Sequence, residues 1–348
     1  MKNFWQGRRV LVTGHTGFKG SWLCEMLIAY GAKVSGFALP ALSEDDLFQK
    51  NNLSARVEHN IGDVRDPCQI QAVVKKTRPE FIFHLAAQSL VIPSYECPEE
   101  TWNVNLMGTV HLLNVFRNLA QPTVVILVTT DKVYENVSGS KPLKESDQLG
   151  GVDPYSASKA AMEIAVRSWR RAFFSTNEIR LATARAGNVI GGGDWAKGRI
   201  IPDIIRAFQS GNSIKIRSPK AVRPWQHVIE PLMGYLQLAQ KIHEGDGAEL
   251  QDGINFGPDA AAFCSVEDLV QRASSNLGVE LTVEYENPRH EEAECLLLDS
   301  SKARRLLGWE QTWDFAQAID KTVEFYLGLL SNRNSQEMTW EQINEFTK

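Results

Sequence analysis

The sequence predicts an α/β fold, in which a doubly wound parallel sheet is followed by a smaller mixed α/β domain. Three observations support this prediction. Apolar strands alternate with helical segments in the first half of the chain, a glycine-rich turn joins the first strand to the first helix, and the pattern loosens after residue 187. Strands that are apolar throughout and separated by helices are typical of a parallel sheet covered on both faces. The 348 residues are enough for two domains.

The predicted strands of the first domain are RVLVTG, KVSGFAL, RVEHNIGDV, EFIFHLAA, TVVILVTT and IRLATARAGNV. Helical spacing of apolar residues predicts helices between them, in GSWLCEMLIAYG, PCQIQAVVKKTRP, EETWNVNLMGTVHLLNVFRNLA and PYSASKAAMEIAVRSWRRAF. The first domain therefore spans residues 1–187. Residues 188–330 mainly form the second domain, although segments near 225–257 are expected to return to the first. Residues 331–348 form a polar tail that we expect to be loosely held.

Composition excludes several classes of protein. The net charge of -5 disfavours nucleic acid as the main partner. The five cysteines are odd in number and have no CxxC spacing, so we expect neither a metal site nor a disulfide framework, and a reducing cytoplasm fits best. The N-terminal segment lacks the apolar core of a signal peptide, and no apolar run approaches the ~18 residues of a membrane span.

The glycine-rich turn predicts a dinucleotide site. Gly14, Gly17 and Gly20 are spaced GxxGxxG between the first strand and the first helix, where backbone N–H groups can approach a pyrophosphate. Asp63 and Val64, after the third strand, are candidates to hold the adenine by a hydrogen bond and an apolar contact. The choice between NAD and NADP stays open, because FALPALSEDD has neither an acid at the strand tip nor a nearby arginine.

Two further segments predict catalysis. Tyr155 and Lys159 form a YxxxK pattern that opens a helix, and residues four apart share a helix face. The Lys159 charge is expected to lower the pKa of Tyr155, so that the phenol can take a proton from an alcohol. The fifth strand ends in Thr130, Asp131 and Lys132, which place a hydroxyl, an acid and an amine at its tip. That tip could also be a simple surface feature.

Together these motifs resemble the extended short-chain dehydrogenase/reductase superfamily, over most of the chain. The resemblance implies a Rossmann-type cofactor domain and a Thr–Tyr–Lys triad, in which Thr129 or Thr130 supplies the hydroxyl and Thr130 is favoured. It implies that Asn105 supports the site from the long helix. The cofactor-binding residues that it implies are Gly14, Thr16, Gly17, Phe18, Gly20, Asp63, Val64, Leu85, Ala86, Ala87, Asn105, Thr129, Tyr155 and Lys159.

Within the superfamily, the Asp131–Lys132 pair resembles nucleotide-sugar 4,6-dehydratases of the CDP-glucose branch, which carry lysine where other dehydratases carry glutamate. The segments GHTGFKGSWL, AGNVIGGGDWA and RPWQHVIEPL also resemble that branch. The resemblance implies NAD as cofactor and CDP-glucose as substrate, with Tyr155 acting at C4, Lys132 taking the C5 proton and Asp131 protonating the C6 hydroxyl. This mechanism requires a lowered pKa for Lys132 and a raised pKa for Asp131, and a direct salt bridge between them would oppose both shifts.

Arginine side chains suit the diphosphate of such a substrate because they donate paired hydrogen bonds. Trp195 and Trp225 are candidate apolar walls of the pocket, and His227 is expected to be structural. For Arg289 and His290, in RHEEAE, a solvated charge run is an equally good explanation. The substrate-binding residues predicted in this way are Gln88, Asn188, Arg199, Arg223, Arg289 and His290.

The resemblance also implies a homodimer through a four-helix bundle, built from helices near 96–119 and 155–174, and a role in deoxysugar formation for surface polysaccharide. Three alternatives stay open. The protein could be a 4-epimerase, a dehydratase for another nucleotide sugar, or a non-catalytic NAD-sensing module. The Asp131–Lys132 pair disfavours the epimerase, and the presence of both Tyr155 and Lys159 disfavours the sensing module.

Overall fold

The computed structural model describes residues 1–117, 121–135, 141–174, 178–245, 248–259, 263–287 and 294–348. Its strands are β1 Arg9–Thr13, β2 Lys33–Ala38, β3 Glu58–Ile61, β4 Phe81–His84, β5 Thr123–Val128, β6 Ile179–Ala186, β7 Val189–Ile190, β8 Ile214–Ile216, β9 Val222–Pro224, β10 Gln226–His227, β11 Ile254–Phe256, β12 Phe263–Ser265 and β13 Val283–Tyr285.

The helices are α1 Lys2–Trp5, α2 Phe18–Ala29, α3 Leu47–Lys50, α4 Pro67–Thr77, α5 Val91–Glu96, α6 Pro98–Trp102, α7 Gly108–Phe116, α8 Pro154–Phe173, α9 Ile200–Ser210, α10 Ile229–Glu244, α11 Val266–Leu277, α12 Ser301–Leu307, α13 Phe315–Leu330 and α14 Ser335–Phe346. Within the described residues, no helix has both the length and the apolar character needed to cross a membrane.

Seven strands form one sheet in the order β11-β6-β5-β4-β1-β2-β3, and every pairing in it is parallel. All six residues of β5 are buried, as expected for a strand covered by helices on both faces. The predicted doubly wound α/β fold is therefore confirmed. Strand β11, from the second half of the chain, extends the sheet beside β6.

The order of strands reverses beside β1, which lies between β4 and β2. In sheets of this kind, ligands bind outside the carboxyl ends of the strands near such a reversal. The carboxyl ends of β1, β4 and β5 are Thr13, His84 and Val128, so the residues that follow them meet at one edge. The fold thus brings together the glycine-rich turn, the segment after His84 and the tip of β5.

The single long helix predicted near 96–119 is interrupted in the structure. Between α6 and α7, residues Asn103–Met107 form a widened, π-helical turn. Such turns are rare and are frequent at functional sites, because they redirect side chains out of the regular helical register. Apolar spacing alone did not reveal this interruption.

The remaining strands pair β7 with β10, β9 with β12 and β8 with β13, and with α9, α11 and α13 they form a second core. The prediction of a loosely held tail over residues 331–348 is wrong. Helix α14 packs Met338, Ile343 and Phe346 into the core, and the Trp340 indole N–H donates to Glu25 at 2.8 Å. A polar composition concealed one apolar face, which is sufficient to fix an amphipathic helix.

Candidate active site

The tip of β5 is a buried polar turn. Thr130 and Asp131 are 6% and 2% exposed, and the chain turns through a short 3₁₀ segment at Asp131–Val133. The Thr130 hydroxyl donates to Asp131 Oδ1 at 2.9 Å and accepts from the backbone N–H of Lys132 at 3.4 Å. These bonds hold the acid beside the hydroxyl. Because both residues are buried, the tip is not the simple surface feature that was the alternative.

The two adjacent threonines point in different directions. The Thr129 hydroxyl donates to Glu163 Oε1 at 2.6 Å, away from the tip. The Thr130 hydroxyl instead lies beside the Tyr155 phenol, whose pKa it lowers. The structure therefore brings Thr130 beside Tyr155, and its role in a Thr–Tyr–Lys triad stays a prediction.

Tyr155 and Lys159 lie on the buried face of α8, which begins at Pro154 after Asp153 caps it by accepting from the Ser156 N–H at 2.9 Å. Burial raises the pKa of Tyr155 to about 12, although Thr130 and Arg199 act in the opposite direction. That the Lys159 charge lowers the pKa of Tyr155 stays a prediction.

Lys159 is itself strongly perturbed. Its ammonium donates to the Val128 carbonyl at 3.0 Å, and burial lowers its pKa to about 7. The nearby charge of Lys19 lowers the pKa of Lys159 further, whereas Glu163 raises it. With a pKa near 7, the protonation of Lys159 at neutral pH depends on the charges around it.

Asp131 is a buried carboxyl group at the tip of β5. Burial raises the pKa of its carboxyl, although Lys132, Thr130, Arg223 and Lys19 all act to lower it. Its Oδ2 atom is buried and makes no hydrogen bond within the described part of the chain. Among the described residues, no ion pair within 4.0 Å joins Asp131 to Lys132, so the salt bridge that would oppose the mechanism is absent there.

Asn105 lies on the π-helical turn and links three elements. Its amide oxygen accepts from the Gln88 backbone N–H at 2.9 Å, and its Nδ2 donates to the Gln88 carbonyl at 3.0 Å and to Ser158 Oγ at 2.9 Å. These bonds hold the segment after β4 against α8, and the supporting role of Asn105 in the site stays a prediction. The Gln88 amide group itself bonds to Leu90 and Thr101, and its contact with substrate stays a prediction.

The glycine-rich turn is packed so closely that side chains would not fit at two of its positions. Gly14 has φ +75°, and a Cβ atom there would lie 2.7 Å from the Ala86 nitrogen. A Cβ atom on Gly20 would lie 2.1 Å from the Gly14 carbonyl oxygen, so the turn and α2 are in close contact. Such a cradle at the start of a helix fits the pyrophosphate of a dinucleotide.

The other predicted cofactor residues lie along the same edge. The Thr16 hydroxyl donates to the Leu39 carbonyl at 2.9 Å, which holds the loop after β2. The Asp63 carboxylate accepts from Arg65, and Val64 packs closely against Gly108. Their contacts with adenine therefore stay predictions. Phe18, Leu85 and Ala87 also lie along this edge, on the turn and after β4.

Two predicted arginines approach the catalytic residues. Arg199 donates to Asp194 Oδ2 at 2.8 Å, and its charge lowers the pKa of Tyr155. Arg223 is 6% exposed, and its charge acts on Asp131. Arg199, which precedes α9, and Arg223, on β9, thus both lie near the tip of β5.

The other substrate predictions have mixed outcomes. Asn188 lies between β6 and β7, where its carbonyl accepts from Gln226. Trp195 packs on Tyr326 near Asp194, whereas Trp225 belongs to the second core and donates to the Cys264 carbonyl at 3.0 Å. That Trp195 and Trp225 form pocket walls stays a prediction. Arg289 and His290 lie outside the described residues.

His227 lies where a structural residue was expected. It is fully buried between Trp22 and Trp313, with ring centroids 5.6 and 4.9 Å away.

Several site residues were not predicted. Lys19 lies in the segment GHTGFKGSWL, on the first turn of α2, and burial lowers its pKa to about 8. Glu163 lies four residues after Lys159, the same spacing that identified Tyr155 and Lys159, and this could have indicated it. Asp194 holds Arg199 and gave no signal beyond its glycine-rich surroundings.

Known proteins resemble this chain along most of its length. The model of the GDP-mannose 4,6-dehydratase family matches residues 11–322. The CDP-glucose 4,6-dehydratase of Salmonella typhimurium is 41% identical over 99% of this chain and 98% of its own.

Two solved structures share the fold. The dTDP-glucose 4,6-dehydratase of Bacillus anthracis, in complex with NAD, has a TM-score of 0.78 at 22% identity and covers 95% of this chain and 100% of its own. The UDP-glucose 4-epimerase of Thermus thermophilus, also in complex with NAD, has a TM-score of 0.81 at 23% identity, over 92% and 99% of the two chains. Because the family model covers most of the chain and a relative is 41% identical over nearly its whole length, the chain belongs to the GDP-mannose 4,6-dehydratase family of nucleotide-sugar 4,6-dehydratases.

Proposed function

We propose that the protein is a hydro-lyase that converts CDP-glucose to CDP-4-dehydro-6-deoxyglucose with NAD as its cofactor. The observation that carries this proposal is the meeting of a buried acid, a hydroxyl and a phenol at the tip of β5, in Asp131, Thr130 and Tyr155, with Lys132 next in the chain. Oxidation at a carbon needs the phenol, whereas loss of water needs an acid and a base in addition. The 41% identical Salmonella typhimurium enzyme supports the choice of CDP-glucose.

The residues present fit a dinucleotide. The close contacts at Gly14 and Gly20 leave backbone rather than side chains facing the start of α2, where a pyrophosphate is favoured. We infer that the nicotinamide end is held near Tyr155 and Lys159. NAD held there would supply the redox chemistry, as an acceptor for the hydride of the sugar C4 and a donor of that hydride to C6.

The chain's own residues move the protons. Tyr155 takes the proton of the C4 hydroxyl, and the resulting ketone makes the C5 proton acidic. Lys132 takes the C5 proton, while Asp131 gives a proton to the departing C6 hydroxyl. A carboxyl whose pKa is raised by burial is suited to donate that proton, and its unpartnered Oδ2 is available to do so.

The substrate diphosphate is proposed to lie against Arg199 and Arg223, whose charges both reach the catalytic residues. Guanidinium groups donate paired hydrogen bonds to phosphate oxygens, and Arg223 is largely buried, so its charge is weakly screened there. Asn188 and Gln88 remain further candidates for the substrate.

Assembly and location are part of the proposal. Trp102, Met107 and Ile164 are 38%, 40% and 50% exposed on the α6 and α8 side, which supports a homodimer through these helices. All five cysteines are free thiols, which supports a reducing cytoplasm. The product class fits the formation of deoxysugars for surface polysaccharide.

The test is turnover of CDP-glucose in deuterated water, followed by mass spectrometry and NMR of the product. A 4-keto-6-deoxy product with one deuterium at C5 is expected. A C4 epimer without solvent deuterium would identify an epimerase instead. No turnover of CDP-glucose, with turnover of dTDP-glucose or GDP-mannose in parallel reactions, would overturn the nucleotide assignment.

A further inference from the structure

Glu163 is a buried carboxylate that the proposed mechanism does not use. It is 5% exposed on α8, one helical turn after Lys159. Its Oε1 accepts from Thr129 Oγ1 at 2.6 Å and from Arg185 Nε at 2.8 Å, and its Oε2 accepts from Thr183 Oγ1 at 2.6 Å and from Arg185 Nη2 at 2.9 Å. Both oxygens are therefore fully engaged.

Arg185 makes this carboxylate a rigid anchor. Burial alone would raise the pKa of Glu163, but Arg185 and the two threonine hydroxyls outweigh burial and hold the pKa below its usual value. Arg185 Nη1 donates in turn to the Tyr134 hydroxyl at 2.7 Å, and that hydroxyl donates to Asn255 Oδ1, on β11, at 2.6 Å. The paired guanidinium and carboxylate cannot rotate without breaking several buried hydrogen bonds.

Thr129 connects this anchor to the catalytic tip. Its backbone N–H donates to the Ala184 carbonyl of β6 at 2.9 Å, just before the 3₁₀ turn. Thr130 follows in an extended conformation, φ -153° and ψ 162°. Side chains of successive extended residues point to opposite sides, so a Thr129 side chain fixed toward Glu163 directs the Thr130 side chain to Tyr155.

We propose that Thr129 is a positioning residue for the dehydratase reaction, and that Glu163, held by Arg185, is the anchor through which it acts. This inference rests on the proposed function, because it assigns Thr130 and Asp131 the roles given above. The Thr129 hydroxyl is directed to Glu163. Its hydroxyl bond to Glu163 sets the direction of the next side chain in the strand tip.

Thr183 provides a matched control. Its hydroxyl donates to the same carboxylate over the same 2.6 Å, and it is as well buried as Thr129, but it lies inside β6 rather than before the tip. Thr129→Val and Thr183→Val therefore remove equivalent hydrogen bonds. Only the first releases the residue that precedes Thr130.

The experiment compares kcat, KM and Tm of Thr129→Val, Thr183→Val and Thr129→Ser with the wild type. We expect Thr129→Val to lower kcat by roughly tenfold or more with little change in KM, since a small displacement of reacting groups costs rate. Thr129→Ser keeps the hydroxyl and should restore kcat. Thr183→Val should lower Tm as Thr129→Val does and leave kcat near wild type.

Equal losses of kcat in the two valine variants would overturn the proposal, as would a Thr129→Val enzyme with wild-type kcat. If the wild type fails to turn over CDP-glucose, the proposed function fails, and the same contrast is then measured on the nucleotide hexose that the wild type does oxidise. The two failures are therefore distinguishable.

Discussion

Replacement of Asp131 by asparagine tests the general acid directly. Asparagine has nearly the same shape, and its side-chain oxygen can still accept the 2.9 Å hydrogen bond from Thr130. The amide cannot deliver a proton to the departing C6 hydroxyl. Because a positioned general acid typically contributes about 10²–10⁴-fold in rate, product formation should fall by that factor, equivalent to about 3–5 kcal/mol of transition-state stabilisation.

The same variant should be more stable than the wild type at neutral pH. Burial raises the pKa of Asp131 above its unfolded value of 3.8, so ionisation opposes folding as the pH rises past that value. Asparagine does not ionise and avoids this cost. The difference in Tm should shrink as the pH falls below about 3, where the carboxyl is largely protonated in both states.

The assay separates the half-reactions in a single turnover with CDP-glucose. Absorbance of the reduced nicotinamide reports oxidation at C4, and quenched samples report the 6-deoxy product. The Asp131→Asn enzyme should still reduce its cofactor while forming little product. A fall of less than about tenfold in product formation, or an equal fall in both signals, would refute the role of Asp131 as the acid.

Three further predictions follow from the site and its supports. Lys132→Ala should still oxidise the sugar at C4 but incorporate no deuterium at C5, and loss of both signals together would contradict its role as the base. Arg223→Met should raise KM for CDP-glucose about tenfold or more, because a charged hydrogen bond to phosphate is lost, whereas the exposed control Arg272→Met should leave KM unchanged in steady-state assays. Glu230 accepts backbone hydrogen bonds near Trp313, and burial raises its pKa from 4.5 to about 7. The stabilisation that this raised pKa provides is fully present below pH 4.5 and is lost as the pH rises to 7, so the free energy of unfolding should fall by about 3 kcal/mol over that range. In Glu230→Gln, this fall should be absent when unfolding is measured across the same pH range.

Local patterns in the sequence predicted the parallel sheet and the segments that meet at its edge. The glycine spacing, the YxxxK pair and the apolar strands each depend on residues close in the chain, and the structure places Tyr155 and Lys159 together on one helix face. The predicted doubly wound sheet and the family resemblance are both confirmed. The polar tail was misjudged because its apolar face is intermittent in sequence and becomes continuous only on the helix α14.

The sequence by itself determined that a hydroxyl, an acid and an amine follow β5, because adjacent residues at a strand end cannot be far apart. Only the tertiary structure decided which threonine faces Tyr155, since this depends on the anchor that Glu163 and Arg185 provide from α8 and β6. It also decided that Asp131 lies buried without a direct salt bridge to its neighbour. Side-chain direction and burial depend on contacts between distant segments, and local sequence patterns do not encode those contacts.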